Sequence, residues 1–262
     1  MFLQKHIIAS AATVAKAVAV TVRMDSKKKI TISWSGGKDS ALALYNVMLK
    51  GAYDTLELHT VFNADTRRVG MHGVPETLIE KQAASLGLPL KKLYLESSES
   101  HAAYTSLMME FYDQCRQEKV EGVVFGDIFL EDLKTFREEL LKPSGLEGIF
   151  PLWKKDTTVL LNDFVQCGFK TVLCSAHAKY FSGERLGKTI DHHFIGGLPT
   201  GVDPCGENGE FHTFVYDGPV FSKPVSFTLG EVVEKKYSYR KVNPDGSTEE
   251  TETTFLFQDL SC

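Results

Sequence analysis

The sequence is short of several features that would point to particular classes of protein. None of its five cysteines forms a C-x-x-C pair, so neither a zinc ribbon nor a cysteine-bound cluster is indicated. An odd number of cysteines without a framework spacing favours reduced thiols and a cytoplasmic location. Basic residues are not in excess, because the net charge is −5, which argues against nucleic acid as a partner.

Long hydrophobic runs are also missing. An Ala- and Val-rich run at 6–22 contains Lys16 and falls short of the ~20 uninterrupted apolar residues that a membrane span needs. A secretory signal is the alternative interpretation of an apolar run that follows Lys5. We favour an N-terminal extension of unknown role over residues 1–28, with Met24 as an alternative start, and expect no membrane partner.

The common phosphate-binding motif G-x-x-x-x-G-K-S/T is absent, because the chain has Ile32 and Asp39 where it needs Gly and Ser or Thr. A different small-residue turn lies between a predicted strand at 29–34 and a predicted helix at 41–50. Glycines there let the backbone approach an anion, and the helix start points free N–H groups at it. This pattern predicts a phosphate site made by Ser35, Gly36, Gly37, Lys38, Asp39 and Ser40.

Strands and helices alternate through the first half of the chain, which predicts an α/β fold with a doubly wound parallel sheet. The predicted strands lie at 56–62, 90–95 and 120–125, and the helices at 75–86 and 100–119. Ligands of such sheets bind at the carboxyl ends of strands, so the phosphate turn, the loop at 63–73 and residues 126–127 share one rim.

The second half predicts a smaller α+β domain. Helices are expected at 131–142 and 157–167, a strand at 171–176, and a β-hairpin from residue 225 that turns at 243–246. We therefore divide the chain into the extension at 1–28, a phosphate-binding domain at 29–130 and a second domain at 131–262.

The turn at 35–40 resembles the SGGxDS pyrophosphate loop of ATP pyrophosphatases, and further motifs narrow the resemblance. They follow in the order Met71-His72-Gly73, Gly126-Asp127-Ile128, Arg137-Glu138, Pro151-Leu152-Trp153, Leu186-Gly187, the stretch CGENGEFHT at 205–213, and Asp217-Gly218-Pro219. Together they are similar to the diphthine–ammonia ligase family, the amidating branch of these enzymes, over about residues 29–225. Asn208 departs from the family's usual Gly, although Asn tolerates a left-handed backbone better than most residues.

The resemblance implies a Rossmann-like fold of the ATP-pyrophosphatase type and ATP-dependent amide formation. It makes 29–130 the ATP-binding domain and 131–262 the substrate-binding, catalytic domain. A substrate carboxylate attacks the α-phosphate of ATP, pyrophosphate leaves, and ammonia then displaces AMP. The implied cofactors are ATP and Mg²⁺. The implied acceptor is a carboxylate on a protein, in the family the modified histidine diphthine of elongation factor 2, with ammonium as the other substrate. A homodimer is a further prediction.

The resemblance also assigns roles to residues. The phosphate turn would hold pyrophosphate, while Asp39 would bind Mg²⁺ or simply cap the helix. Asp127 would bind Mg²⁺ or ribose, or would simply cap the loop. Further nucleotide contacts are expected from Asn63, Met71, His72 and Gly126.

The Gly-rich loop at 205–213 carries the candidate catalytic groups Glu207, Glu210 and His212. They could orient ammonium or take its proton, because ammonia must be neutral to attack. The alternative is a polar loop that only packs against the first domain. Arg137 and Glu138 are left open between an ion pair and a substrate contact.

Two other functions remain open at this point. The first is a tRNA-modifying ATP pyrophosphatase, for which Cys174 and Cys205 are the candidate thiols, although no basic RNA-binding appendage is evident. The second is a nucleotide sensor of the universal-stress type, which would not need the Glu- and His-bearing loop.

Overall fold

The computed structural model describes residues 27–96, 100–242 and 248–262. The predicted extension up to residue 26 and the hairpin turn at 243–246 lie outside the described residues. The strands are β1 (Lys28–Ser33), β2 (Tyr53–Asn63), β3 (Arg68–Val69), β4 (Leu90–Leu95), β5 (Gly122–Val124), β6 (Glu147–Ile149), β7 (Lys170–His177), β8 (Phe211–Asp217), β9 (Thr228–Val242) and β10 (Thr248–Ser261). The helices are α1 (Lys38–Lys50), α2 (Glu76–Leu86), α3 (His101–Gln117), α4 (Glu131–Leu141), α5 (Thr157–Gln166) and α6 (His192–Gly196).

The first sheet confirms the predicted α/β class. Five strands run parallel in the order β4-β2-β1-β5-β6, and β3 pairs antiparallel with the end of β2. The chain leaves β1 towards β2 on one side and later returns to β5 on the other side. Strand order therefore reverses between β1 and β5, where doubly wound sheets bind their ligands.

Helices cover both faces of this sheet, and the central strand β1 is buried on both sides, with Thr31 on one side and Ile30 and Ile32 on the other. Ile30 and Ile32 of β1 pack in one buried cluster with the apolar faces of α1 and α2. The opposite face packs against α3 and α4 in a second cluster that includes Phe111 and Leu141. In α3, Met108, Phe111 and Tyr112 are buried in this cluster, whereas Met109 is exposed.

The second half forms an antiparallel sheet in the order β8-β7-β10-β9, in agreement with the predicted smaller α+β part. It packs directly on the first sheet through β8, since the Val215 amide donates to the Gly36 carbonyl at 2.9 Å. The division at residue 130 stays a prediction. The first sheet itself continues to β6, which pairs with β5.

Several predicted boundaries need correction. The segment 63–73 is not simply a loop, because β3 folds back on β2 there. The strand predicted at 120–125 is limited to β5, and β6 was not predicted at all. Pro75 is the residue before α2 rather than its first turn. These are short elements, and three-residue strands are specified by their neighbours more than by their own periodicity.

No helix in the described ranges is long and apolar enough to cross a membrane. All five cysteines are free.

Candidate active site

A cleft of about 240 Å³ opens where the strand order reverses, between the ends of β1 and β5 and the residues that lead into β8. We call the β1 and β5 side the phosphate wall; its cleft-lining residues are Ser33, Ser35, Asp39, Ser40, Gly126, Asp127, Leu130, Leu133 and Arg137. We call the opposite side the loop wall; it comprises Gly206, Glu207, Gly209, Phe211, His212 and Thr213, with His72 beside it.

Another hollow, of about 290 Å³, lies where α1 ends and β2 begins. Its lining is mainly apolar, with Leu44, Met48 and Leu88 among its residues. Because the predicted site residues converge on the first cleft and not on this one, the first cleft is the candidate active site.

The phosphate turn is built as a strand-to-helix connection with a left-handed Gly36, whose φ is +81°. Ala41 N donates to Gly37 O at 3.1 Å and begins α1. Within the described part of the chain, the Asp39 and Ser40 amides make no hydrogen bond, as expected for the first turn of a helix. Ser35, Asp39 and Ser40 line the cleft, while Gly36, Gly37 and Lys38 lie behind them. Free N–H groups beside two hydroxyls fit an anionic phosphate.

Two glycines have no space for a side chain. A Cβ on Gly37 would lie 2.5 Å from His72 Cε1, and one on Gly126 would lie 2.8 Å from the carbonyl carbon of Asp39. The turn after β5 therefore packs directly on the backbone of the phosphate turn.

Lys38 was predicted to be a mobile charge for pyrophosphate, but its side chain is buried away from the cleft lining. Its ammonium group pairs with Asp39 at 2.8 Å and donates to the Cys205 carbonyl. Burial is the largest influence and would lower the pKa of Lys38, but Asp39, Cys205 and Glu207 together outweigh it, so the pKa is raised. As placed, Lys38 ties the two walls together.

Asp39 and Asp127 are the carboxylates of the phosphate wall. Within the described residues no group of three His, Cys, Asp or Glu side chains could hold a metal by itself. Mg²⁺ that arrives with a nucleotide keeps waters and phosphate oxygens and needs only one or two carboxylates. The residues present fit such an ion.

Asp127 forms a buried ion pair with Arg137, with Oδ2 and Nε 2.8 Å apart. Neither atom has an aligned hydrogen-bond partner among the described residues. The guanidinium group of Arg137 also stacks on the Phe125 ring, 4.5 Å from its centre. A buried carboxylate oxygen with spare capacity fits a ribose hydroxyl or a metal-bound water. Glu138 instead pairs with Lys134.

On the loop wall, Glu207 lies in the cleft and accepts hydrogen bonds from the amides of Ile128, at 2.7 Å, and Phe129, at 3.3 Å. These contacts hold the loop wall to the turn after β5. Burial raises the pKa of Glu207 to about 7. A carboxyl group that titrates near neutrality is suited to proton transfer.

Glu210 faces away from the cleft lining, unlike its neighbours Glu207 and His212. Its Oε1 accepts from the Asp203 amide at 3.0 Å and from Asn208 at 3.1 Å, so it shapes the loop. Asn208 does not have a positive φ, whereas Gly206 and Gly209 do. The expected left-handed backbone at position 208 is thus not needed, and the departure from Gly leaves the turn intact.

The rings of His72 and His212 are in contact, with their centres 4.8 Å apart and their planes tilted by 44°. His72 donates its Nδ1 hydrogen to the Thr213 carbonyl at 3.0 Å. Burial lowers the pKa of His72 to about 4 and, with help from His72 and Lys38, that of His212 well below its usual range. Both rings are therefore neutral at pH 7.

Besides Gly36, Gly37 and Lys38, two further predicted nucleotide contacts lie outside the cleft lining of the described chain. Asn63 Oδ1 accepts hydrogen bonds from the Thr66 amide and hydroxyl at 2.8 and 2.9 Å, and Met71 is half-buried nearby. Sequence reasoning missed the apolar side of the cleft, Leu130 and Leu133. It also missed Gln82, a fully buried amide behind the phosphate turn. The sequence signal that could have identified this residue is a Gln within the apolar pattern of α2.

Comparison with known proteins gives consistent matches. The family model "Diphthamide synthase N-terminal domain" matches residues 28–148, and "Diphthamide synthase C-terminal domain" matches residues 156–246. The diphthine–ammonia ligase of Schizosaccharomyces pombe is 29% identical over 221 residues, covering 76% of this chain and 36% of that protein. This chain thus spans about a third of that relative's length.

The human diphthine–ammonia ligase is 27% identical over 229 residues, and the Danio rerio enzyme 25% identical over 226 residues. Each match covers 76% of this chain, with 82% and 86% of those proteins. A solved structure, the U34-tRNA thiolase NcsA from Methanococcus maripaludis with its 4Fe-4S cluster, has a TM-score of 0.35 and 16% identity. That alignment covers 53% of this chain and 58% of the thiolase.

Proposed function

This chain belongs to the diphthamide synthase family, and on that premise we propose that it is an ATP-dependent ligase that converts a carboxylate to an amide with ammonia. The acceptor is diphthine, the substrate in the names of the relatives, and the family resemblance implies that elongation factor 2 carries it. The observation that carries this proposal is the pairing of two unlike walls across one cleft. Phosphate-binding groups face a carboxyl group whose pKa is about 7.

The phosphate wall binds and orients the nucleotide. ATP supplies the phosphorus that activates the acceptor, and Mg²⁺ would neutralise its phosphates. The Asp39 and Ser40 amides with the Ser35 and Ser40 hydroxyls hold the pyrophosphate that leaves. Asp39 and Asp127 are the residues that would hold Mg²⁺, and Asp127 could instead bind ribose.

The acceptor carboxylate attacks the α-phosphorus, the bond to the β-phosphate oxygen breaks, and pyrophosphate leaves. Ammonia then attacks the acyl carbon, AMP leaves with the bonding electrons, and the proton that the attacking nitrogen must lose passes to the phosphate of the departing AMP. Leu130 and Leu133 form an apolar side of the cleft that limits access of water to the activated acyl group.

Glu207 prepares the nucleophile. Its carboxylate attracts ammonium, takes one proton from it and leaves neutral ammonia, because the raised pKa of Glu207 makes it a stronger base than an ordinary carboxylate. The neutral ring of His212 accepts a hydrogen bond from the same ammonia through a ring nitrogen. Glu210 shapes the loop and makes no contact with substrate.

The partner that supplies the acceptor is a protein, so the reaction belongs in the cytoplasm with translation factors. The free cysteines agree with such a reducing compartment.

The test is to incubate the protein with elongation factor 2 that carries diphthine, ATP, Mg²⁺ and ammonium. We expect AMP and pyrophosphate in amounts equal to the amide, which mass spectrometry of the modified peptide measures. A reaction that requires the factor and gives ADP and phosphate would contradict the proposal, and so would AMP formation with no amide. Elongation factor 2 that already carries the amide is the matched control and should give neither product.

A further inference from the structure

A buried amide lies directly behind the phosphate turn, on the side opposite the cleft. Gln82 of α2 is fully buried and makes three hydrogen bonds. Its Nε2 donates to the Gly36 carbonyl at 3.0 Å and to the Val215 carbonyl at 2.6 Å, and its Oε1 accepts from Trp34 Nε1 at 2.8 Å. The indole nitrogen can only donate, so the orientation of the amide is fixed.

The Gly36 carbonyl is held from two sides, because the Val215 amide also donates to it at 2.9 Å. In a trans peptide the N–H of the next residue points opposite to the carbonyl. The Gly37 N–H accordingly points away from Gln82 and reaches Ser35 Oγ at 3.3 Å, on the cleft side. The Ser35 and Ser40 hydroxyls lie 3.3 Å apart, and Ser40 Oγ donates to the Gly37 carbonyl at 3.0 Å, so the Gly37 N–H and both hydroxyls belong to one hydrogen-bond network on the cleft side.

Gly36 also has no freedom to move towards Gln82. A Cβ placed on it would lie 2.6 Å from Ile79 Cδ1 and 2.9 Å from Gln82 Oε1, and its φ of +81° already needs Gly. The position of Gly36 and the orientation of the peptide that follows it are thus both determined by residues behind the phosphate turn.

We infer that Gln82 is a positioning residue of the nucleotide site. It holds the Gly36 carbonyl on the far side of the turn and so fixes the orientation of the next peptide, whose N–H positions the Ser35 hydroxyl at the phosphate site. By binding Val215 as well, it fixes the phosphate turn to β8 and hence to the loop wall. The inference rests on the proposed function only for the identity of the ligand, a nucleotide phosphate.

The test measures binding of MgATP and of magnesium pyrophosphate by calorimetry, together with kcat and KM. Gln82→Met keeps the shape of the side chain and removes its hydrogen bonds. We expect affinity for both ligands to fall about ten- to a hundredfold, the range for a misdirected charge-assisted contact, with kcat at saturating ATP within about threefold. Gln258→Met is the matched control, because Gln258 is also buried and donates to the backbone at Gly230, outside the cleft lining.

Gln82→Glu gives a sharper readout. Its carboxylate would face two carbonyl oxygens, whereas the protonated acid can donate one hydrogen bond. MgATP affinity of this variant should therefore improve as the pH falls from 8 to 6, relative to the wild type. Trp34→Phe removes the indole donor together with part of a buried ring. It should weaken binding in the same direction but by less, and serves if Gln82→Met does not fold.

If Gln82→Met and Gln258→Met lower Tm alike and both bind MgATP as the wild type does, Gln82 is merely structural and the inference is wrong, while the proposed function stands. If the wild type itself binds neither MgATP nor pyrophosphate, both fail.

Discussion

The two walls of the cleft present different kinds of chemical group. The phosphate wall offers backbone N–H groups and small hydroxyls, whose positions follow from a strand, a turn and a helix start. The loop wall offers ionisable side chains, and burial moves the pKa of Glu207 and of His212 in the directions that keep each group less charged. A phosphate-binding site can be formed by backbone groups whose positions follow from the chain topology, whereas acid–base chemistry needs ionisable side chains whose pKa is shifted by their surroundings.

The largest expected effect is on the loop wall. Glu207→Gln keeps an acceptor for the Ile128 amide but cannot take a proton, so amide formation with ammonium should fall about 10²- to 10⁴-fold. Formation of the acyl-adenylate should continue, and MgATP affinity should stay within about threefold. Rapid quench followed by mass spectrometry separates the two steps.

The exposed Glu131, which pairs with Lys154, provides the control variant Glu131→Gln, expected to behave as the wild type. Hydroxylamine, largely unprotonated at pH 7, should restore part of the lost rate in Glu207→Gln. Equal loss of both steps, without rescue, would show that the carboxylate shapes the cleft and is not the base.

Gly126→Ala tests the phosphate wall and should have the next largest effect. The new Cβ would meet backbone atoms of Asp39 and Ser40 at 2.8–3.0 Å, which cannot move without displacing the start of α1. Overpacking of this kind costs about 1–3 kcal/mol, or roughly ten- to a hundredfold in MgATP affinity.

Gly70→Ala is its control, because nothing lies within 4 Å of the added carbon. Normal MgATP affinity in Gly126→Ala would mean that the contact between the two turns does not set the geometry of the phosphate wall.

Stability should respond to pH in opposite directions through the two kinds of group. A neutral buried His72 with a pKa near 4 binds fewer protons than in the unfolded chain, so its contribution is lost as pH falls from about 6.5 to 4. Glu207, with its pKa raised to about 7, lowers stability as pH rises from about 4.5 to 7.

Urea unfolding from pH 4 to 8 measures both slopes. His72→Gln should flatten the acid side by up to about 2 kcal/mol, and Glu207→Gln should gain stability over the wild type as pH approaches 8. Parallel curves for wild type and variants would contradict the assigned protonation states.

The smallest expected effect is that of replacing the cysteines, measured as the rate of amide formation. Burial raises the pKa of both Cys174 and Cys205, and the Cys205 thiol donates to the Thr157 carbonyl at 3.3 Å. Neither is a reactive thiolate, so Cys174→Ala and Cys205→Ala should amidate within about twofold of the wild type. An inactive cysteine variant with normal MgATP binding would favour thiol chemistry and tRNA as substrate.

The sequence predicted the parallel sheet and the phosphate turn because both depend on local pattern. Strong alternation in β1, a glycine pair and a run of helix formers leave few alternatives. The sequence predicted that the loop at 205–213 carries candidate catalytic groups, but it did not distinguish the roles of Glu207, Glu210 and His212. Whether Glu207 or Glu210 faces the cleft depends on contacts that a sequence pattern does not reveal. Glu207 accepts from the Ile128 amide in the turn after β5, and Glu210 accepts from the Asp203 amide.

Lys38 shows the same limit. Its position in the turn suggested contact with phosphate, but its partners Asp39 and the Cys205 carbonyl come from opposite walls, and no spacing rule connects them. Gln82 is 46 residues from the carbonyl it holds, so only the folded chain identifies it.

The most direct test of the central claim follows one oxygen atom. Elongation factor 2 whose diphthine carboxylate carries ¹⁸O would be incubated with the protein, ATP, Mg²⁺ and ammonium, and the nucleotides analysed by mass spectrometry. Attack of the carboxylate on the α-phosphorus predicts AMP that contains one ¹⁸O for each amide formed. Label in inorganic phosphate together with ADP, or unlabelled AMP beside labelled amide, would contradict it.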